Sequence, residues 1–481
     1  MNKPLRHVAL VVTILFLLLF ASTTYIQAFQ QKSLNADGRN ARAIYNNYGK
    51  HRGSIVVDGK PIAVSNPSDD VYGYQRSYDP GAMYAPVTGY QSVIYGTSGI
   101  ERSLDDDLSG DSDSLFLERV KAAVSGRTPQ GANVELTLDP AAQEAAWNAL
   151  DGRRGAVVAL DPSTGAVLAM VSSPSYDPNR LAGHSQKQVR EAWTDLQADS
   201  SRPLTNRAIG GDLYPPGSTF KLIVAAAALE SGEYTKDTEI PGPGTYQLPN
   251  SSSVMHNHPR GGTEPCGPGN SSSLQDALRQ SCNTSFAELG TKLGQDTLRQ
   301  TTEDFGFGEH LKIPLGVTPS SIGDDLDGAQ LATSSIGQYE DRVTPLQMAM
   351  VASAFADDGV IMEPQLVASV RTSNLQQISV LTPHKLGQPV SASNAKQMRD
   401  MMEATVQDGT ATAAQISGVE VGGKTGTAEW KQGAAPHSWF VGYAQAGDKK
   451  VAVAVVIEEG GYGATAATPV ARNVMEAVVQ P

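Results

Sequence analysis

The sequence predicts a mixed α/β (α+β) chain. Its expected parts are a central antiparallel sheet with a helical subdomain, a small module in front, and one apolar helix at the amino terminus. Three observations carry this. Residues 8–26 hold no charged side chain. Apolar runs that read as strands gather in two distant places, around 134–173 and 418–457, with helical patterns between them. Strands at both ends of such a stretch suggest one sheet assembled across it. Finally, 481 residues exceed one small domain and suit two or three.

As a helix the apolar run extends about 28 Å, against about 30 Å of bilayer hydrocarbon. Twelve of its nineteen residues are Leu, Ile, Val or Phe, which favours insertion by roughly 4–7 kcal/mol. Lys3 and Arg6 precede it, so the positive-inside rule keeps residues 1–7 in the cytoplasm and sends the rest outside. A cleaved signal peptide is the alternative, disfavoured by the length of the run and by the lack of a clean small-x-small site after it. The expectation is an uncleaved single-pass cell-membrane anchor, residues 8–28, with the main domain extracytoplasmic.

Residues 29–130 are polar, rich in tyrosine and punctuated by glycine. RGSIVVDGKPIAVS reads as a hairpin turning at Asp58-Gly59. The acidic stretch LDDDLSGDSDS (104–114) reads as a solvated loop, and it lacks the full pattern of a calcium-binding loop. Composition shifts near residue 130. NVELTLDPAAQEAAWNAL gives a strand and then a helix opening at Asp139-Pro140. GAVVALDPSTGAVLAMVSS gives a second hairpin. TPLQMAMVASAFADDG (344–359) is helical, and three strand-like runs lead to a terminal helix from about Ala467. Residues 131–481 are therefore taken as one domain.

Formal charge is −13 and no basic cluster is present, which argues against nucleic acid as a partner. Eight histidines show no metal-ligand spacing, so no metal and no cofactor are expected. The chemistry centres on PPGSTFKLIVAAAALESG. Ser218 and Lys221 stand three apart where a turn meets an alanine-rich apolar run. Ser218 suits a helix N-cap, with Gly232 as the stop, and serine–lysine spacings of this kind recur by chance, as at Ser393 and Lys396. What separates chemistry from a cap is the company. Ser281-Cys282-Asn283 follows 63 residues later at the end of an apparent helix, and Lys424-Thr425-Gly426-Thr427 lies 143 residues further on within a strand. Singly each is weak: Ser33-Leu34-Asn35 imitates the second. Together and in this order they form the signature of penicillin-recognising serine enzymes.

The residue types suit that chemistry. A serine hydroxyl needs a base, and Lys221, three residues on, shares its helical face. Burial, the helix N-terminus and a second cation, Lys424, all favour the neutral amine. Ser281 offers a hydroxyl relay, and Asn283 an amide to hold substrate backbone. In a strand Lys424 and Gly426 face one way, and Thr425 and Thr427 the other. Gly426, without a side chain, is expected to let a peptide substrate approach that edge. The N–H groups of Ser218 and Thr427 would form the oxyanion hole, each such donor worth about 3–4 kcal/mol.

These motifs, with ELTLDPAAQEAAWNAL, GAVVALDPSTGAVLAMVSSPSYDPN, NRAIGGDLYPPGSTFK and GGKTGTAEW…HSWFVGYA, resemble the transpeptidase domain of class B penicillin-binding proteins over roughly residues 130–481. The anchor and short amino-terminal module most resemble an actinobacterial branch of that family. The resemblance implies a penicillin-binding transpeptidase, serine β-lactamase-like fold. It implies D,D-transpeptidation of peptidoglycan: Ser218 attacks D-Ala-D-Ala of a stem peptide, and an amine of a neighbouring stem resolves the acyl-enzyme. It further implies acylation by β-lactams, and a membrane glycosyltransferase of the shape, elongation, division and sporulation class as partner. A β-lactamase would need a water-activating group such as the glutamate of an E-x-x-L-N segment between the second and third motifs, and none is there. A D,D-carboxypeptidase uses the same residues, but the anchor and front module suit a transpeptidase better. A β-lactam sensor needs a cytoplasmic signalling part, and a silent scaffold would not need all eight motif positions intact.

Cys266 and Cys282 are the two cysteines, and both fall in the expected extracytoplasmic part. A disulfide between them is one reading. Two free thiols, one buried and one in a loop, is the other.

Overall fold

The computed structural model describes residues 2–30, 34, 48–126, 130–257, 262–311 and 313–480. Ser33 and Asn35 lie outside these. Helix α1 (Asn2–Tyr25) continues as a π turn to Gln30 and is exposed throughout its described side chains. It is long and apolar enough to cross a membrane.

Strands β1 (Ile55–Val57) and β2 (Lys60–Pro67) meet at Asp58-Gly59, with φ of 48° and 70°. Two left-handed central residues match the twist of a two-residue hairpin. Strand β3 (Tyr74–Tyr78) follows. The acidic stretch is not the solvated loop its composition suggests. It forms helix α2 (Asp105–Ser109) and a short 3-10 turn at Asp113–Leu115, with Leu108 and Leu115 buried. Three aspartates in the first turn of α2 meet the positive end of its peptide dipoles. Asp105 also accepts from the guanidinium of Arg52 at 2.6 Å.

Strand β4 (Asn133–Leu136) leads to α3 (Pro140–Leu150), where the Asp139 side chain accepts from Ala142 N–H and Pro140 takes the first helical position. Strands β5 (Gly155–Leu160) and β6 (Val167–Ser173) form the second hairpin. A 3-10 turn, Gly217–Phe220, runs into α4 (Lys221–Glu230), followed by α5 (Leu274–Arg279), α6 (Asn283–Leu293), α7 (Gly328–Ser334) and α8 (Pro345–Ala356). Next come strands β7 (Val367–Arg371) and β8 (Gln377–Val380), then helix α9 (Ala392–Asp408). The chain closes with β9 (Glu420–Ala428), β10 (His437–Ala446), β11 (Lys449–Ile457) and α10 (Ala467–Val479).

The principal sheet has the order β9-β10-β11-β5-β6, antiparallel throughout. The two distant parts of the chain join where Val455 pairs with Val157. Val157, Ala159, Val453 and Val455 pack with Ala142, Ala146, Val470 and Met475 of α3 and α10. Val158, Ala454 and Val456 belong to the core on the opposite face, with α4 and α8. Both faces are covered, which is why these strands read as continuous apolar runs rather than alternating ones. Helix α4 is buried from Lys221 to Leu229, as a helix apolar on all sides must be.

A second sheet, β8-β7-β4-β1-β2-β3, runs across the composition shift at residue 130. Three of its strands precede the shift and three follow it, with β1 parallel to β4.

Candidate active site

Ser218 is half-buried in the 3-10 turn, while Gly217, Thr219 and Phe220 are buried. It makes no side-chain cap, so the capping alternative is not what the structure uses. The turn is held from several sides. Tyr214 exchanges both backbone hydrogen bonds with Val343, at 3.0 and 2.9 Å. Trp439 Nε1 donates to Pro215 O at 3.0 Å, and Thr219 Oγ1 to Pro216 O at 2.7 Å. The Tyr214 hydroxyl donates to Glu458 at 2.8 Å, and Arg207 pairs with the same carboxylate at 2.7 Å.

One residue into α4, Lys221 is fully buried. Its Nζ donates to Ser281 O at 2.7 Å and to Asn283 Oδ1 at 2.7 Å, and lies 3.3 Å from Ser281 Oγ. The Phe286 ring stands 5.7 Å away. Burial pushes the Lys221 amine well below the usual lysine range, and the charge of Lys424 pushes it the same way. Lys424, also fully buried, is pulled by desolvation down to about 7. Its Nζ donates to Ser281 Oγ at 2.8 Å and Thr425 O at 2.9 Å. Two amines therefore converge on one hydroxyl. A neutral Lys221 has two N–H bonds, matched by Ser281 O and Asn283 Oδ1, which leaves its lone pair for a hydroxyl proton.

Ser281 adopts a left-handed φ of 62°, between α5 and α6. A non-glycine residue held there is a strained position of the kind found at functional sites. The start of α6 is capped by a residue sequence reasoning did not find. Asn257 Oδ1 accepts from Asn283 N–H at 3.0 Å, Thr284 N–H at 3.1 Å and Thr284 Oγ1 at 3.1 Å. Its Nδ2 donates to Pro243 O and Glu264 O. No local signal exposes it, because an asparagine that caps a helix 26 positions away looks like any loop asparagine. Cys266 and Cys282 are joined in a disulfide, Cα to Cα 6.1 Å, so the chain between them returns to the edge of the Ser281–Asn283 turn.

Strand β9 is the edge of the principal sheet. Gly426 faces the Ser218 turn, the Lys424 amine on the same face reaches Ser281, and the Thr425 hydroxyl meets Thr410 Oγ1 at 2.8 Å. The expected use of Gly426 needs correction. A Cβ there would stand 2.9 Å from Thr219 Cγ2 and from Trp439 Cβ, and 3.1 Å from Pro216 O. The missing side chain makes room for the Ser218 turn, and not for substrate. A Cβ on Gly217 would lie 2.9 Å from Thr427 O, so that carbonyl faces the turn. In an antiparallel ladder one residue's N–H and C=O point to the same side, which directs the Thr427 N–H toward the turn as well.

The sequence decoy at 393–396 is an exposed first turn of α9. Lys396 there pairs with Asp400 at 3.0 Å, an i,i+4 contact in solvent. Among the described residues no group of three or more His, Cys, Asp or Glu is placed to hold a metal ion.

Residues 155–476 match the penicillin binding protein transpeptidase domain, and residues 52–134 the penicillin binding protein A dimerisation domain. The chain is 42% identical to peptidoglycan D,D-transpeptidase PbpA of Mycolicibacterium smegmatis, covering 100% of this chain and 99% of that protein. It is 39% identical to the PbpA of Mycobacterium tuberculosis over the same shares. A solved imipenem acyl-enzyme complex of penicillin-binding protein A from that organism superposes with a TM-score of 0.86 at 39% identity, covering 91% of this chain and 100% of that one.

Proposed function

The chain belongs to the penicillin-binding protein transpeptidases and is a class B peptidoglycan D,D-transpeptidase, and on that premise we propose that Ser218 is its nucleophile and Lys221 its general base. The observation that carries this reading is the convergence of two fully buried amines on Ser281 Oγ, one of them, Lys221, three residues after the half-buried Ser218.

The neutral Lys221 amine takes the Ser218 proton as Oγ attacks the carbonyl between the two D-alanines of a stem peptide. The N–H groups of Ser218 and Thr427 receive the negative charge on that oxygen. The carbon–nitrogen bond breaks, the proton passes to the leaving amine directly or through Ser281, and D-alanine departs. An amine of a neighbouring stem peptide then attacks the ester, loses its proton by the reverse relay, and restores Ser218. Asn283 holds the donor backbone, and Lys424, Thr425 and Gly426 form the wall behind it. A β-lactam follows the first half of the path and stops at the ester. The acyl-enzymes of the Mycobacterium tuberculosis relative support that course.

The division proposed is 1–7, 8–28, 29–130 and 131–481, as tail, anchor, non-catalytic module and transpeptidase domain, with the module's sheet completed by β4, β7 and β8 of the last part. Helix α1 is proposed to hold the chain in the cell membrane with its amino terminus in the cytoplasm. The Cys266–Cys282 bridge fits an oxidising compartment on the far side. A shape, elongation, division and sporulation-class glycosyltransferase in the same membrane is the proposed partner.

Labelling of the membrane fraction with a fluorescent penicillin tests the site. Ser218→Ala is expected to lose the covalent label while remaining folded, since the hydroxyl caps nothing. A label that moves to another serine overturns the assignment.

A further inference from the structure

Edge strand β9 ends where its pairing with β10 ends, at Ala428 opposite His437. Beyond it, the Glu429 main chain is met from the side of α7. The Gln338 amide lies against that main chain, and its orientation is assigned from the network: with Nε2 turned to Glu429 O it donates there at 3.0 Å, and Oε1 accepts from Glu429 N–H at 3.3 Å. A side-chain amide presents one donor and one acceptor at the spacing of a peptide group, so Gln338 occupies the place that a paired strand residue would take.

The support for Gln338 is built in. It follows α7 in a bend where Gly337 N–H donates to Ser334 O at 2.7 Å and Gln338 N–H to Thr333 O at 3.2 Å. The bend is pressed onto the nucleophile turn, with Gly217 N–H donating to Gly337 O at 2.8 Å. Ser334 Oγ donates to the buried Asp341 at 2.7 Å, tying the two ends of the bend together.

We propose that Gln338 is the stop that sets how far a donor peptide can pair along β9, a specificity-determining role that rests on the reaction assigned above. Main-chain groups facing the open edge recur every second residue, at Thr425, Thr427 and Glu429. Lys424, the amine not used as the base, lies on the Thr425 side of the reacting carbonyl, so the carboxylate of the terminal D-alanine is drawn to that side. The body of the donor then runs toward Glu429. It can pair at Thr427, but the next place is taken by Gln338. An unblocked edge would let longer peptides add a further pair and slip by two residues. With the block, the D-Ala-D-Ala terminus is what is read.

The test uses the full chain in detergent, a D-amino acid acceptor, and synthetic α-linked peptides of three to five residues ending in D-Ala-D-Ala. The readout is kcat/KM for D-alanine release, as the ratio of pentapeptide to tripeptide. Wild type is expected to give a ratio near one. Gln338→Met removes both hydrogen bonds, and Gln338→Glu cannot donate to the Glu429 carbonyl. Either is expected to raise the ratio about fivefold, the worth of one added backbone hydrogen bond. Equal ratios in all three proteins overturn the proposal. Penicillin acylation of Ser218 is measured in parallel and should stay within about twofold of wild type. A loss beyond about tenfold in a folded variant assigns Gln338 to the nucleophile turn and likewise overturns the stop. Should neither variant fold, the wild-type profile decides, since a pentapeptide preferred more than about threefold contradicts a block. Failure of wild type itself to acylate at Ser218 would count against the underlying reaction and is thereby separate.

Discussion

Replacing Lys221 separates a base from a mere positive charge, provided two substitutions are compared. Lys221→Met keeps an unbranched chain of similar length in a fully buried site and removes both the proton acceptor and the cation. Lys221→Arg keeps the cation but cannot release its proton inside a protein. In the structure the amine holds Ser281 O and Asn283 Oδ1 at 2.7 Å each. Methionine leaves these two acceptors unmet, at about 1–3 kcal/mol apiece, offset in part because a buried amine no longer has to be desolvated. The fold should therefore survive. General-base assistance is typically worth about 10²–10⁴-fold, or roughly 3–5 kcal/mol of barrier. Both variants should lose acylation by that factor in a stopped-flow assay with a fluorescent penicillin at pH 7.5. Wild type should also show an acid limb, its rate rising with pH as Lys221 deprotonates below the usual lysine range. Lys221→Met should lose that limb. An arginine variant within about tenfold of wild type would refute the base assignment and leave Lys221 as an electrostatic helper.

Lys424→Met should be more stable than wild type near pH 6 and gain less as pH approaches 10, measured by thermal unfolding across that range. The folded lysine titrates at about 7 and the unfolded one at about 10.4, so between these values the unfolded chain holds the extra proton and wild-type stability rises with pH. A variant less stable than wild type at pH 6 contradicts this. Asn257→Ala should cost about 1–2 kcal/mol of stability, as loss of a helix cap does, and slow acylation by displacing Asn283. Asn257→Asp keeps the acceptor and should recover most of both, and unchanged acylation in Asn257→Ala would remove Asn257 from the site. Replacing Cys266 and Cys282 with serine opens a 16-residue loop and should cost about 3 kcal/mol. An unaltered unfolding midpoint would mean that the bridge adds nothing to the fold.

Much of this protein was legible along the chain because its signals are local or repeat in fixed order. An uncharged nineteen-residue apolar run needs only its own composition to read as a span. Asp139-Pro140 and Thr344-Pro345 mark helix starts through hydrogen bonds made within one turn. The two groups of apolar runs imply a shared sheet, since strands with two apolar faces have to be covered on both. Ser218, Lys221, Ser281, Asn283 and Lys424 could be singled out because three short motifs, each weak alone, occur in one order on the expected kinds of element, and folding brings Lys221, Ser281, Asn283 and Lys424 into contact.

Tertiary structure decided what depends on distance between remote segments. Composition makes five aspartates and three serines look solvated, but Arg52 and the buried Leu108 and Leu115 draw Asp105–Ser109 and Asp113–Leu115 into helical turns. Spacing shows that Gly426 lacks a side chain, and contact alone shows that Thr219 and Pro216 fill the room it leaves. Asn257 caps a helix from 26 positions away, and Gln338 pairs with a main chain 91 positions on, so neither leaves any periodic or neighbouring mark. The bridge between Cys266 and Cys282 likewise needed 6.1 Å between two α-carbons, which no count of cysteines supplies. The physical reason is common to all of these. Propensity and patterning act over a few residues, whereas the pKa of Lys221 is set by burial and by Lys424, and the room beside Gly426 by Thr219, Pro216 and Trp439, all brought close by folding alone.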